Sequence, residues 1–266
     1  MTKTWREIRW ITLFFGLGLA VLELLLTYII PTAFGAVPAE WFQVSFFQDF
    51  LKGLLGTQIG DVVGPRALTS LPWVHPVALA LLWAHEIAIC TQLPAGETDR
   101  GTIDVLLGLP VSRTRAYLSV TVVWLAAGLF VVAMGFAGNM IGSSLAPPDF
   151  RSPIDRVLIV VANLLCLYVA VGGFACMVST LSNHRGRAIG LVFAVVLASF
   201  FLSVLAPMWE PARSISFLSV LNYYRPMTVL AGSSPPAADM LVLVTTGAVF
   251  WAVGAGVFAR RNICTV

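Results

Sequence analysis

Long apolar runs restrict this chain more than any other feature. Segments 11–30, 73–93, 116–140, 157–181, 188–206 and 240–259 are each almost wholly apolar. About 30 Å of hydrocarbon is crossed at ~1.5 Å per residue, so roughly 20 residues make a span. In that medium every backbone N–H and C=O must find its partner within the protein, which leaves the α-helix as the conformation of each run. The composition agrees: 58% of the 266 residues are hydrophobic and 11% charged, against about 45–50% and about 25% in soluble domains. The spans and their connectors fill the sequence, so a single transmembrane domain over 1–266 is expected. The predicted fold class is an all-α integral membrane protein with six transmembrane helices.

The first run follows Lys3, Arg6 and Arg9, as a signal peptide would. It exceeds the ~7–15 residues of a signal core and reads as a retained span. The net charge of +3 comes with no basic patch interleaved with aromatics, so no nucleic-acid partner is expected. Cys90, Cys166, Cys176 and Cys264 form no CxxC pair, which argues against a disulfide framework or a metal site.

Lysine and arginine set the orientation. With both termini inside, Lys3, Arg6, Arg9, Arg100, Arg113, Arg115, Arg185, Arg187, Arg260 and Arg261 are cytoplasmic. Lys52, Arg66, Arg151, Arg156, Arg213 and Arg225 are then outside. The expected location is therefore the cell (inner) membrane, multi-pass, with cytoplasmic N- and C-termini. Outside, Phe42, Phe46, Phe50 and Leu54 recur every fourth position, as on one face of an amphipathic surface helix. Between spans five and six, "SISFLSVLNYYRPM" is too short to cross and return as full helices. It reads as an outer re-entrant segment.

Between the second and third spans lies "GETDRGTIDVLLGLPVSRTR", a concentration of charge between two apolar runs. Ile103, Leu106, Leu107 and Pro110 fall at helical spacing. Asp104 near the start suits the macrodipole, Gly101 permits a sharp entry, Pro110 discourages continuation, and Ser112 can cap the next span. The local physics predicts a short amphipathic helix across the inner surface.

With "AY" following, this stretch resembles the signature of ABC-2 type transporter permeases, in which Glu, Gly-Thr, an acid, Leu-Leu, Pro and Ser-Arg follow the second span. The matching residues are Glu97, Gly101, Thr102, Asp104, Leu106, Leu107, Pro110, Ser112 and Arg113. "LPWVHPVALALLWAHEIAI", "SNHRGRAIGL" and "LNYYRPMTVL" resemble the family's second span, inner turn and outer segment. The resemblance implies that the stretch is a cytoplasmic coupling helix docking on a separate nucleotide-binding ATPase subunit. Ile103, Leu106 and Leu107 would give the buried contact, and Glu97, Asp99 and Arg100 the charge complementarity. It implies an ATP-driven transporter, an exporter, working as a dimer with a second permease copy or homologue. No GxxxxGK[ST] loop occurs in the chain. ATP and Mg are therefore expected on the partner ATPase, with no cofactor here and no enzyme activity of its own.

Glu23, His85 and Glu86 lie within spans, where ionisable groups are costly and face the bundle. They either line a translocation path or form interhelical bonds. "HEIAI" lacks the second histidine of HExxH, since residue 89 is isoleucine. Tyr223, Tyr224 and Arg225 are either an outer gate or interfacial anchors. Two other functions remain open at this level. One is an ATPase-linked assembly or maturation subunit that moves no small solute. The other is an intramembrane enzyme using His85 and Glu86.

Overall fold

The computed structural model describes residues 2–35, 68–108 and 110–261. The expected outer surface helix around Phe42, Phe46, Phe50 and Leu54 lies outside the described residues, as do the side chains of Leu106 and Leu107. Among the described residues there is no strand. The long helices are α1 (Thr2–Gly35), α2 (Pro76–Cys90), then the short α3 (Ile103–Leu107), α4 (Arg113–Leu145), α5 (Ile154–Leu181), α6 (Arg185–Leu205) and α7 (Ala237–Arg260). Among the described residues five of them are long and apolar enough to cross a membrane, and a bent pair, Pro76–Cys90 with Gln92–Asp99 at 60°, makes up to six when it is taken as one span.

That bent pair corrects the expectation of one continuous helix over 73–93. Residues preceding proline are pushed out of the α region. His75, before Pro76, is extended (φ −60°, ψ 128°) and separates a short turn, Leu71–Val74, from α2. Leu93, before Pro94, is extended (φ −127°, ψ 131°) and turns the chain out of α2. The third span is longer than expected. It starts at Arg113, where the Ser112 hydroxyl accepts the Arg115 N–H at 3.3 Å, and runs 33 residues.

Helix α5 is the centre of the bundle. In its most apolar window 56% of residues are buried, against 22% in α1, α6 and α7, which turn most of their surface outward. Two tight pairs build the core. Helix α1 runs alongside α4, where Gly138 meets the Ala20 carbonyl so closely that a Cβ would lie 2.0 Å from its oxygen. Helix α5 meets α7 glycine to glycine: a Cβ on Gly173 would lie 2.1 Å from the Gly247 carbonyl oxygen. Small residues that admit a neighbouring backbone are the general device for helix packing in lipid, where no hydrophobic force separates helix from tail. Helix α6 attaches by a narrow stripe, Ala188, Val192 and Val196, one residue per turn.

The segment between α6 and α7 is built of short pieces, Glu210–Ser214, Ser216–Leu218, Val220–Tyr223 and Pro226–Leu230. Its irregular backbone is satisfied by side chains of the long helices. Asn163 of α5 donates to the Tyr223 carbonyl (3.2 Å) and accepts from the Arg225 N–H (3.0 Å). Ser199 of α6 accepts from the Val220 N–H (3.1 Å), and the fully buried Ser219 donates to the Ser199 carbonyl (2.8 Å). Non-helical backbone beside membrane spans is tolerated where protein groups satisfy it in this way.

Candidate functional site

The stretch after α2 is assembled by local bonds. The Thr91 hydroxyl donates to the Ile87 carbonyl at 2.7 Å and ends the helix. The chain turns at Leu93, and Gly96 N–H returns to the Thr91 carbonyl at 3.0 Å. A three-residue turn, Glu97–Asp99, follows. Gly101 takes φ +69°, a left-handed conformation open to glycine, and reverses the chain. Thr102 then closes the loop, its N–H on the Glu97 carbonyl at 2.9 Å and its hydroxyl on the Glu97 carboxylate at 2.5 Å. Helix α3 leaves from this loop with Ile103 fully buried in a small cluster with Leu93, Val120 and Ala116.

Further bonds tie the stretch to more than the spans on either side of it. Ala95 N–H donates to the Ser179 hydroxyl of α5 at 3.3 Å. The Asp99 carboxylate lies 3.0 Å from Nδ1 of His184, in the turn joining α5 to α6. Three arginines hold helix C-termini, where unpaired carbonyls and the negative end of the dipole favour a cation. Arg185 of α6 donates to the Ala88 carbonyl of α2 at 2.9 Å. Arg113 of α4 donates to the Phe258 carbonyl of α7 at 3.4 Å and to the Arg261 carbonyl. Arg261 donates to the Thr180 carbonyl and the Asn183 side chain at the end of α5.

This geometry redistributes the residues singled out from the sequence. Ile103 faces the protein's own spans and anchors α3, so it is not displayed for a partner. Glu97 is buried and bonded to Thr102, and Arg113 is spent on main-chain carbonyls. The face turned outward carries Asp99, Arg100, Gly101, Thr102, Asp104 and Pro110. It also carries Val105, 72% exposed, and Val111, 45% exposed, both overlooked in the sequence. Their signal was available. Val105 is two residues from Ile103, about 200° around a helix of 3.6 residues per turn, so burying one displays the other.

A family model for ABC-2 family transporter protein matches residues 77–263. The chain belongs to the ABC-2 transporter family. Its match begins in α2 and includes α3 to α7. A relative, the uncharacterized membrane protein YdbK of Bacillus subtilis (strain 168), is 26% identical over 194 residues, 69% of this chain and 78% of its own. No solved structure matches the chain. As an ABC-2 protein it is a membrane component of an ABC transporter, a membrane subunit that is not itself catalytic.

The intramembrane polar groups of this ABC-2 chain are buried between helices. The Asn139 amide of α4 donates to the Glu23 carboxyl of α1 at 3.2 Å and to the Thr27 hydroxyl at 2.8 Å. His85 of α2 lies with Nε2 3.3 Å from the Thr12 hydroxyl of α1 and Nδ1 3.4 Å from the Tyr168 hydroxyl of α5. These two clusters cross-link four of the helices, α1, α2, α4 and α5. Glu86 is wholly buried, with both carboxyl oxygens outside hydrogen-bonding geometry, close to Gly172 and to Trp124, whose indole N–H is likewise unpaired. At the other end of the bundle the Tyr223 hydroxyl donates to the Phe217 carbonyl (3.0 Å), the buried Tyr224 to the Trp73 carbonyl (3.2 Å), and Arg225 pairs with Asp239 (2.8 Å). Among the described residues no group of three or more His, Cys, Asp or Glu side chains could hold a metal ion.

Proposed function

We propose that this chain is the permease subunit of an ATP-driven exporter and that a separate ATPase docks on the outward face of residues 99–111. Both termini are then cytoplasmic, the membrane is the cell (inner) membrane, and the translocation path forms between this chain and a second copy or homologue. ATP and Mg belong to the ATPase. One observation carries the reading. Helix α3 is fixed inward by a fully buried Ile103 while Val105 and Arg100 are displayed outward, on a loop bonded to α5 and to the turn before α6. A push on such an element is passed to several spans at once. Arg100 and Asp104 supply the charged rim that selects a partner, and Val105 supplies the apolar contact.

The test is the substitution Val105→Arg in an affinity-tagged chain expressed in its native host. The expected outcome is normal membrane insertion and a recovered ATPase activity reduced by roughly tenfold or more, as for loss of a buried contact at an interface centre. Undiminished recovery of the ATPase with Val105→Arg removes the docking assignment.

A further inference from the structure

Where α5 ends at Leu181 and α6 begins at Arg185, the two spans leave a cleft of about 290 Å³ between them. Its lining is apolar at Val178, Leu181 and Leu191 and polar at Ser182, Asn183 and Arg187. Leu181 and Leu191 are 56% and 53% exposed, on the apolar surface these spans turn outward. Among the described residues no acidic side chain lines the cleft.

The polar lining offers donors. Arg113, Arg185 and Arg261 are all committed to main-chain carbonyls. Arg187 is exposed and, among the described residues, has no hydrogen bond or ion pair. The Asn183 side-chain oxygen is taken by Arg261, which leaves its NH₂ group as the available end. The nearby acid, Asp99, is paired with His184. A cation and an amide donor therefore stand at the ends of two spans, immediately above exposed leucines. That order, charge over hydrocarbon, matches one class of molecule, an anionic lipid with its headgroup at the interface and its chains beside the helices.

We infer that the α5–α6 cleft is a binding site for an anionic phospholipid, its phosphodiester on Arg187 and Asn183 and its acyl chain against Leu181 and Leu191. The site depends on the chain being in a membrane and not on the docking of an ATPase.

Purified chain in a zwitterionic detergent is mixed with dioctanoyl-phosphatidylglycerol or dioctanoyl-phosphatidylcholine, and retained lipid is counted by native mass spectrometry. Wild type should retain phosphatidylglycerol in preference. Arg187→Gln should lose roughly fivefold of that retention, the worth of one basic residue near an anionic surface, and Arg187→Lys should keep most of it. Leu191→Gln, which keeps the cation and spoils the apolar lining, should also lower retention. Helix content by circular dichroism confirms that each variant is folded. Equal retention of the two lipids, or undiminished phosphatidylglycerol on folded Arg187→Gln, overturns the site. Displacement of the lipid by glycerol phosphate alone overturns the lipid assignment in favour of a soluble anion. Loss of ATPase recovery in Arg187→Gln with phosphatidylglycerol retained overturns it in favour of a protein contact.

Discussion

Two buried acids in this chain have opposite surroundings, and their variants should behave differently. Glu23 receives the Asn139 amide, which also bonds Thr27, so three side chains on α1 and α4 share one network. Replacing Asn139 by leucine strips the network and should lower stability in detergent by about 0.6–2 kcal/mol, the range for interhelical hydrogen bonds in membranes. Among the described residues Glu86 makes no hydrogen bond of good geometry, and its nearest polar neighbours are the Trp124 indole and the Gly172 backbone. Glu86→Gln, nearly isosteric, should leave both the melting temperature and the recovered ATPase activity unchanged. Normal melting with lost ATPase activity would instead give Glu86 a part in transport. Sequence alone could not separate these acids, because both are simply ionisable residues in apolar runs. What each one meets is set by other helices, Asn139 of α4 for Glu23 and Trp124 of α4 and Gly172 of α5 for Glu86.

Among the elements, the α1–α4 contact is the tightest test of the packing. A Cβ on Gly138 would overlap the Ala20 carbonyl, whereas a Cβ on Gly256 of α7 meets nothing within 4 Å. Gly138→Ala should therefore cost about 1–3 kcal/mol through overpacking, and Gly256→Ala should leave the melting temperature where it is. The bend between Pro76–Cys90 and Gln92–Asp99 belongs to the same scale. Pro76 and Pro94 stand plainly in the sequence, and their effect on the preceding residue is a general rule. High hydropathy across 73–93 outweighed that signal, since a run can be apolar enough to span and still fail to be one helix. The periodicity of Ile103, Leu106 and Leu107 was legible too. Its destination was not: a short amphipathic helix buries its apolar face on the nearest apolar surface, and for Ile103 that surface is the chain's own bundle.

For the molecule as a whole, the arginine pattern and the bundle agree on which ends group together. Arg113, Arg185 and Arg261 cap helix ends at one side, while Arg156 bonds the Ser233 carbonyl and Arg225 pairs with Asp239 at the other. Orientation is then open to a direct measurement. In a chain whose native cysteines are removed, Gly186→Cys should react with a membrane-impermeant maleimide only in inverted vesicles, and Ser234→Cys only in intact cells. The reverse labelling would invert the proposed topology and take α3 away from any cytoplasmic partner.

The sequence by itself determined that the chain is helical, that it carries five or six runs long and apolar enough to cross a membrane, and that it resembles the ABC-2 family. Helicity and span number follow from composition and run length, and the family from a stretch that resembles its signature; all three are local in the chain. Tertiary structure alone decided which residues of 97–113 are anchors and which are displayed, that His184 joins Asp99, and that α1 packs along α4 while α5 packs along α7. The physical reason is that in lipid a helix has no preferred neighbour from hydrophobicity. Its partners are chosen by close backbone approach at glycines and by a few buried hydrogen bonds, and both depend on residues far apart in the chain.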